Sequence, residues 1–136
     1  MDYQKLKEMR NASNEFPRQN GIYTAQIGEG YAEVRMDDCT HALNPAGSVH
    51  GGCLYTLADV AAGSAAASHG KWPVTLSGDM NYLRPGREPK ALCAKAKEIK
   101  CGKTVAVYHV DIWQDDEKLL ATSTFTMFFL DKEIEL

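Results

Sequence analysis

Asn44-Pro45-Ala46-Gly47-Ser48-Val49-His50-Gly51-Gly52-Cys53-Leu54-Tyr55-Thr56-Leu57-Ala58-Asp59-Val60-Ala61-Ala62-Gly63-Ser64-Ala65-Ala66-Ala67-Ser68 is a turn-rich segment that passes through two glycines into an apolar, alanine-rich run. Leu54, Leu57, Ala58, Ala61, Ala62 and Ala65 recur at helical spacing, and alanine has the strongest intrinsic helix propensity, so the run reads as one long helix. Gly52, Thr56, Asp59 and Gly63 step by four, three and four residues and form a second stripe, small side chains with one carboxylate. A helix built this way is covered on both sides. An ionised carboxylate in such surroundings is costly unless it is paired or used in chemistry.

The start of this helix has its own chemistry. The first turn of a helix leaves backbone N–H groups without partners at the positive end of its dipole. Gly51 and Gly52 stand there, and without side chains they leave those donors open to a ligand oxygen, as an oxyanion site requires. Asp59 lies about 12 Å further along the axis. The two can meet at one carbonyl only if Gly51 of one subunit approaches Asp59 of another.

Outward from the helix, residues 2–14 suit a short amphipathic helix with Tyr3, Leu6 and Met9 on one side, ending before Pro17. Residues 21–26 and 31–36 read as strands joined at Gly28-Glu29-Gly30, and 37–50 form the loop into the long helix. After Gly70, residues 74–83, 91–99, 104–113 and 119–129 read as four successive strands, in the first of which Ser77, Asp79 and Asn81 share a face opposite Leu76, Met80 and Tyr82. Short turns make strand neighbours antiparallel, so the expected class is α+β: a sheet of about five to six strands wrapped around one long helix.

A chain of 136 residues with 44% apolar content holds a single domain with a core and has no room for a second. The net charge of −3 argues against a generally basic nucleic-acid binder, yet the window from Arg84 to Lys103 carries seven basic residues against two acidic ones. That window would draw a phosphate-bearing ligand; a solvated strand face is the competing reading. Cys39, Cys53, Cys93 and Cys101 lack Cys-x-x-Cys spacing and read as free thiols. With no apolar run of ~20 residues and no signal-peptide core, the expected location is the cytoplasm, away from membranes. His41, His50, His69 and His109 have no paired ligand spacing, so no metal is expected.

His50-Gly51-Gly52 followed by Leu57-Ala58-Asp59, with Asn44 and Gly47 upstream, resembles the signature of hotdog-fold acyl-CoA thioesterases of the phenylacetate-pathway, PaaI-like type. The likeness continues through Ser77-Gly78-Asp79-Met80-Asn81-Tyr82-Leu83-Arg84-Pro85-Gly86 and covers most of the chain after about residue 20. It implies the hotdog fold, a homodimer often paired into a homotetramer, and an acyl-CoA substrate in which coenzyme A is part of the substrate and no cofactor is needed. It implies a catalytic set of Asp59 as general base or nucleophile, Gly51 as oxyanion donor, Asn44 orienting water or thioester, and Ser77 near the attacking water. His50 would help place the carbonyl or hold the loop, and Gly52, Asn81, Arg84, Arg87 and Lys103 are candidates for contact with the substrate and its coenzyme A phosphates. The competing readings are an Asp59 merely paired across an interface, an Asn44 that only forms a turn, and a structural Ser77. At the level of function the rivals are an enoyl-CoA hydratase or dehydratase of the same fold and a non-catalytic acyl-CoA sensor.

Overall fold

A computed structural model describes residues 1–136. Helix α1 spans Tyr3–Ser13, where Asp2 caps it by accepting from the Lys5 N–H at 3.1 Å. The chain does not stop there: a short α2, Glu15–Gln19, follows and carries Pro17 within its first turns, where the missing N–H costs nothing. Strands β1 (Ile22–Gly28) and β2 (Tyr31–Met36) form a hairpin, then the loop leads into α3, Gly51–Ala67. Gly70, at φ +92°, turns the chain into β3 (Lys71–Tyr82), and β4 (Leu92–Cys101), β5 (Val105–Gln114) and β6 (Lys118–Glu133) complete it.

The six strands form one antiparallel sheet in the order β1-β2-β4-β5-β6-β3. Sequence order therefore differs from sheet order: β3 pairs with β6 at the edge, and residues 83–91 carry the chain across to β4, beside β2. An edge position accommodates Pro73 within β3, which begins three residues earlier than its alternation suggests. The sheet wraps α3. Leu57, Ala58, Ala61, Ala62 and Ala65 are fully buried against Val34, Ala94, Val110 and Phe125, and the alanines let the backbones approach closely. This is the α+β hotdog arrangement. All four cysteines are free, and no helix is long and apolar enough to cross a membrane.

The two sheet edges are treated differently. Helix α1 covers β1, where the Asn11 side chain takes the place of a neighbouring strand: its Oδ1 accepts from Thr24 N at 2.8 Å and its Nδ2 donates to Thr24 O at 2.9 Å. The far edge of β3 is bare, with Val74, Leu76 and Tyr82 exposed along it. An uncovered edge of twelve residues is a template for another strand.

Candidate active site

The loop before α3 is built around Asn44. Its Oδ1 accepts from the N–H groups of Ala46 (3.0 Å) and Ser48 (3.1 Å), and its Nδ2 donates to Ser48 Oγ at 3.0 Å. The amide thus holds the turn, with Oδ1 accepting twice and one Nδ2 N–H left without a partner in the chain. His50, extended at φ −61° and ψ 134°, is the N-cap of α3, and its Nδ1 accepts from Gly52 N at 3.0 Å. That bond takes up the Gly52 donor, so the open pair expected from the sequence reduces to one. A Cβ on Gly52 would lie 3.1 Å from His50 Nδ1, which is why the second glycine is small. His50→Ala is expected to lower stability by about 1 kcal/mol in denaturant unfolding, with His50→Asn keeping most of it.

Gly51 is the first residue of α3, and its N–H donates to no group of the chain. The Tyr82 hydroxyl donates to its carbonyl oxygen at 2.9 Å, and a Cβ on Gly51 would meet that hydroxyl at 3.1 Å. A cleft of about 330 Å³ opens here, lined by Asn44, Gly51, Tyr82 and Arg84.

Asp59 faces a different cleft, of about 430 Å³, with Tyr55, Thr56, Gly63, Thr75 and Arg10. The Thr75 hydroxyl donates to Asp59 Oδ1 at 2.5 Å, fixing the carboxylate by a charge-assisted bond. Asp59 joins none of the ion pairs of the chain. A basic group does stand close, from an element the sequence reading did not connect with Asp59: Arg10 of α1 crosses Gly63, where a Cβ would lie 3.1 Å from Nη2, and its Nε donates to Ser64 Oγ at 3.1 Å. Burial pulls the Arg10 guanidinium down to about 10, opposed by the negative charge of Asp59, so it stays cationic at neutral pH.

Ser77 does not line the Asp59 cleft of its own chain. A register shift between Thr75 and Ser77 turns Thr75 toward the helix, while Ser77 pairs with Thr126 on the face opposite the inward Gly78 and Phe125. Ser77 makes no side-chain hydrogen bond, whereas Thr75 bonds Asp59. The basic candidates divide as well. Arg84 lines the Gly51 cleft, and Arg87 is held nearby through its carbonyl, which accepts from Gln114 Nε2 at 2.8 Å. Lys103 stands at the opposite end of β5, next to Thr104, whose carbonyl accepts from Phe129 N. Asn81 is exposed near the end of β3, and Gly52 opens on a third recess with His41, His50 and Cys53. Arg10 was readable: it follows Leu6 by four residues and so shares the inward face of α1. Nothing in residue type marks the irregularity at Leu76.

Residues 46–121, which include Gly51, Asp59, Thr75 and Tyr82, match the thioesterase superfamily. The chain belongs to that family. It is 36% identical to the acyl-coenzyme A thioesterase PaaI of Escherichia coli K12 over 74% of this chain and 72% of that one. The structure of the E. coli PaaI protein superposes with a TM-score of 0.86 at 29% identity, covering 98% of this chain and 99% of that chain. Protein smu.793 of Streptococcus mutans UA159, solved bound to acetyl CoA, superposes with a TM-score of 0.77 at 29% identity, covering 83% and 91%. The chain is a PaaI-like hotdog thioesterase, a thioester hydrolase.

Proposed function

We propose that this thioesterase hydrolyses acyl-CoA at a site completed by two protomers, with Asp59 from one and Gly51 from the other. The observation that carries this reading is the placement of two anchors on the bare strand β3: Thr75 bonds Asp59, and Tyr82 bonds Gly51. Their midpoint falls between Gly78 and Asp79. If two β3 edges pair antiparallel about a two-fold axis at that midpoint, each Thr75 comes opposite the partner's Tyr82, and each Asp59 cleft comes beside a Gly51 cleft. The same axis carries Lys103 of one protomer toward Arg84 and Arg87 of the other, gathering cations for the coenzyme A phosphates.

In this arrangement the thioester oxygen accepts from the unpartnered Gly51 N–H at the positive end of α3. Asp59, held by Thr75, takes a proton from the attacking water as its oxygen bonds to the carbonyl carbon. The C–S bond then breaks and the proton returns to the departing sulfur, giving the free acid and coenzyme A. As a nucleophile, Asp59 would instead form a transient anhydride that water opens. No histidine of the same chain lines the Asp59 cleft, so the acid–imidazole pair of a hydratase is not formed within one chain. Thiol release from a panel of acyl- and aryl-CoA esters tests the reading. Turnover supports it; binding of the esters without release would point to a sensor.

A further inference from the structure

The wall of the Asp59 cleft is more polar than an aliphatic acyl chain needs. Arg10 and Asn14, one helical turn apart on the end of α1, both line it alongside Thr56 and Thr75. The guanidinium spends one of its five N–H groups, Nε, on Ser64 Oγ; the Nη donors bond no group of the chain, and no carboxylate lies within ion-pair distance of it. The Asn14 side-chain amide is also unengaged. Arg10 is not a wandering surface residue: α1 is fastened by Leu6, fully buried, and by the paired Asn11–Thr24 bonds, and Nη2 rests on the bare Cα of Gly63.

We infer that Arg10 reads the acyl group, selecting CoA esters whose acyl moiety carries an oxygen acceptor beyond the thioester carbonyl, whether an oxo or hydroxyl group or a carboxylate. The inference rests on the proposed thioesterase site and deepens it. A plain hydrocarbon chain entering the cleft would strip water from the Nη donors and offer nothing back, whereas an acceptor oxygen replaces that water with a charge-assisted bond. Sites built to hydrogen-bond a substrate discriminate strongly against analogues that lack the group. Arg10 also carries a positive charge close to Asp59 in the same cleft, so a carboxylate-ended acyl group there finds a guanidinium as well as a carboxylate. The polar arm would lie on the α1 side, away from the β3 edge where the thioester is to be held.

The test uses matched CoA esters of equal chain length: unsubstituted, oxo- or hydroxy-substituted, and ω-carboxylated. The wild type is expected to favour at least one acceptor class over the unsubstituted ester by ~10-fold or more in kcat/KM, chiefly through KM. Arg10→Met should remove that preference while still turning over the unsubstituted ester, and Arg10→Lys should keep part of it for the carboxylated ester. Equal kcat/KM across the wild-type panel would overturn the inference, as would a preference unchanged in Arg10→Met. Dissociation constants measured on the Asp59→Asn protein separate this from the hydrolysis itself. A binding preference for the acceptor esters, lost on adding Arg10→Met, would uphold the reader even if no ester were hydrolysed; no preference in binding or turnover would remove it with the hydrolase intact.

Discussion

Asp59→Asn is expected to lower kcat for thioester hydrolysis by ~10²–10⁴-fold with little change in KM, because the amide keeps the shape of the side chain and the bond from Thr75 but cannot take a proton from water. The carboxylate is neither sealed in the core nor spent on a salt bridge: it is half-buried, fixed through one oxygen, and opens on a cleft. Its replacement should therefore leave folding almost untouched, so circular dichroism and melting temperature should match the wild type while thiol release collapses. Release at the wild-type rate would take Asp59 out of the mechanism.

Gly51→Pro should cost ~10²–10³-fold in kcat, the usual cost of deleting one oxyanion donor. Proline suits this position on structural grounds. Gly51 is the first residue of α3, where proline is favoured, and His50 before it already has the extended backbone that a following proline requires. The substitution thus removes one N–H while sparing the helix. Gly51→Ala is the control: it keeps the donor and asks only that the Tyr82 hydroxyl, 3.1 Å from the new Cβ, move by a few tenths of an ångström. Hydrolysis that survives in the alanine protein and fails in the proline protein assigns the effect to the N–H.

Helix α3 was legible because its alanines and leucines repeat at one spacing only, and its start was legible because two glycines follow a turn-forming Asn44. Hairpins were legible for a local reason too. Asp115 and Asp116, at φ +51° and +56°, accept the left-handed turn between β5 and β6, and Asp115 also takes the N–H groups of Lys90 and Ala91. What escaped the sequence was non-local. The pairing of β3 with β6 depends on which of several similar strands the chain returns to, and no residue in 83–91 announces the crossing. The irregularity at Leu76 put the hydroxyl of Thr75 against Asp59, since a shift of one residue exchanges the faces of a strand. The charge near Asp59 was missed because it comes from Arg10, forty-nine positions earlier in the chain.

The measurement closest to the central claim is complementation between two inactive proteins, Asp59→Asn and Gly51→Pro, mixed in equal amounts under conditions of subunit exchange. In a two-fold dimer with a shared site, each mixed dimer regains one site with both wild-type groups, so activity should rise toward about a quarter of the wild-type value per chain. Mixed dimers seen by native mass spectrometry with no activity above either parent would contradict the claim that Asp59 and Gly51 act together across the interface.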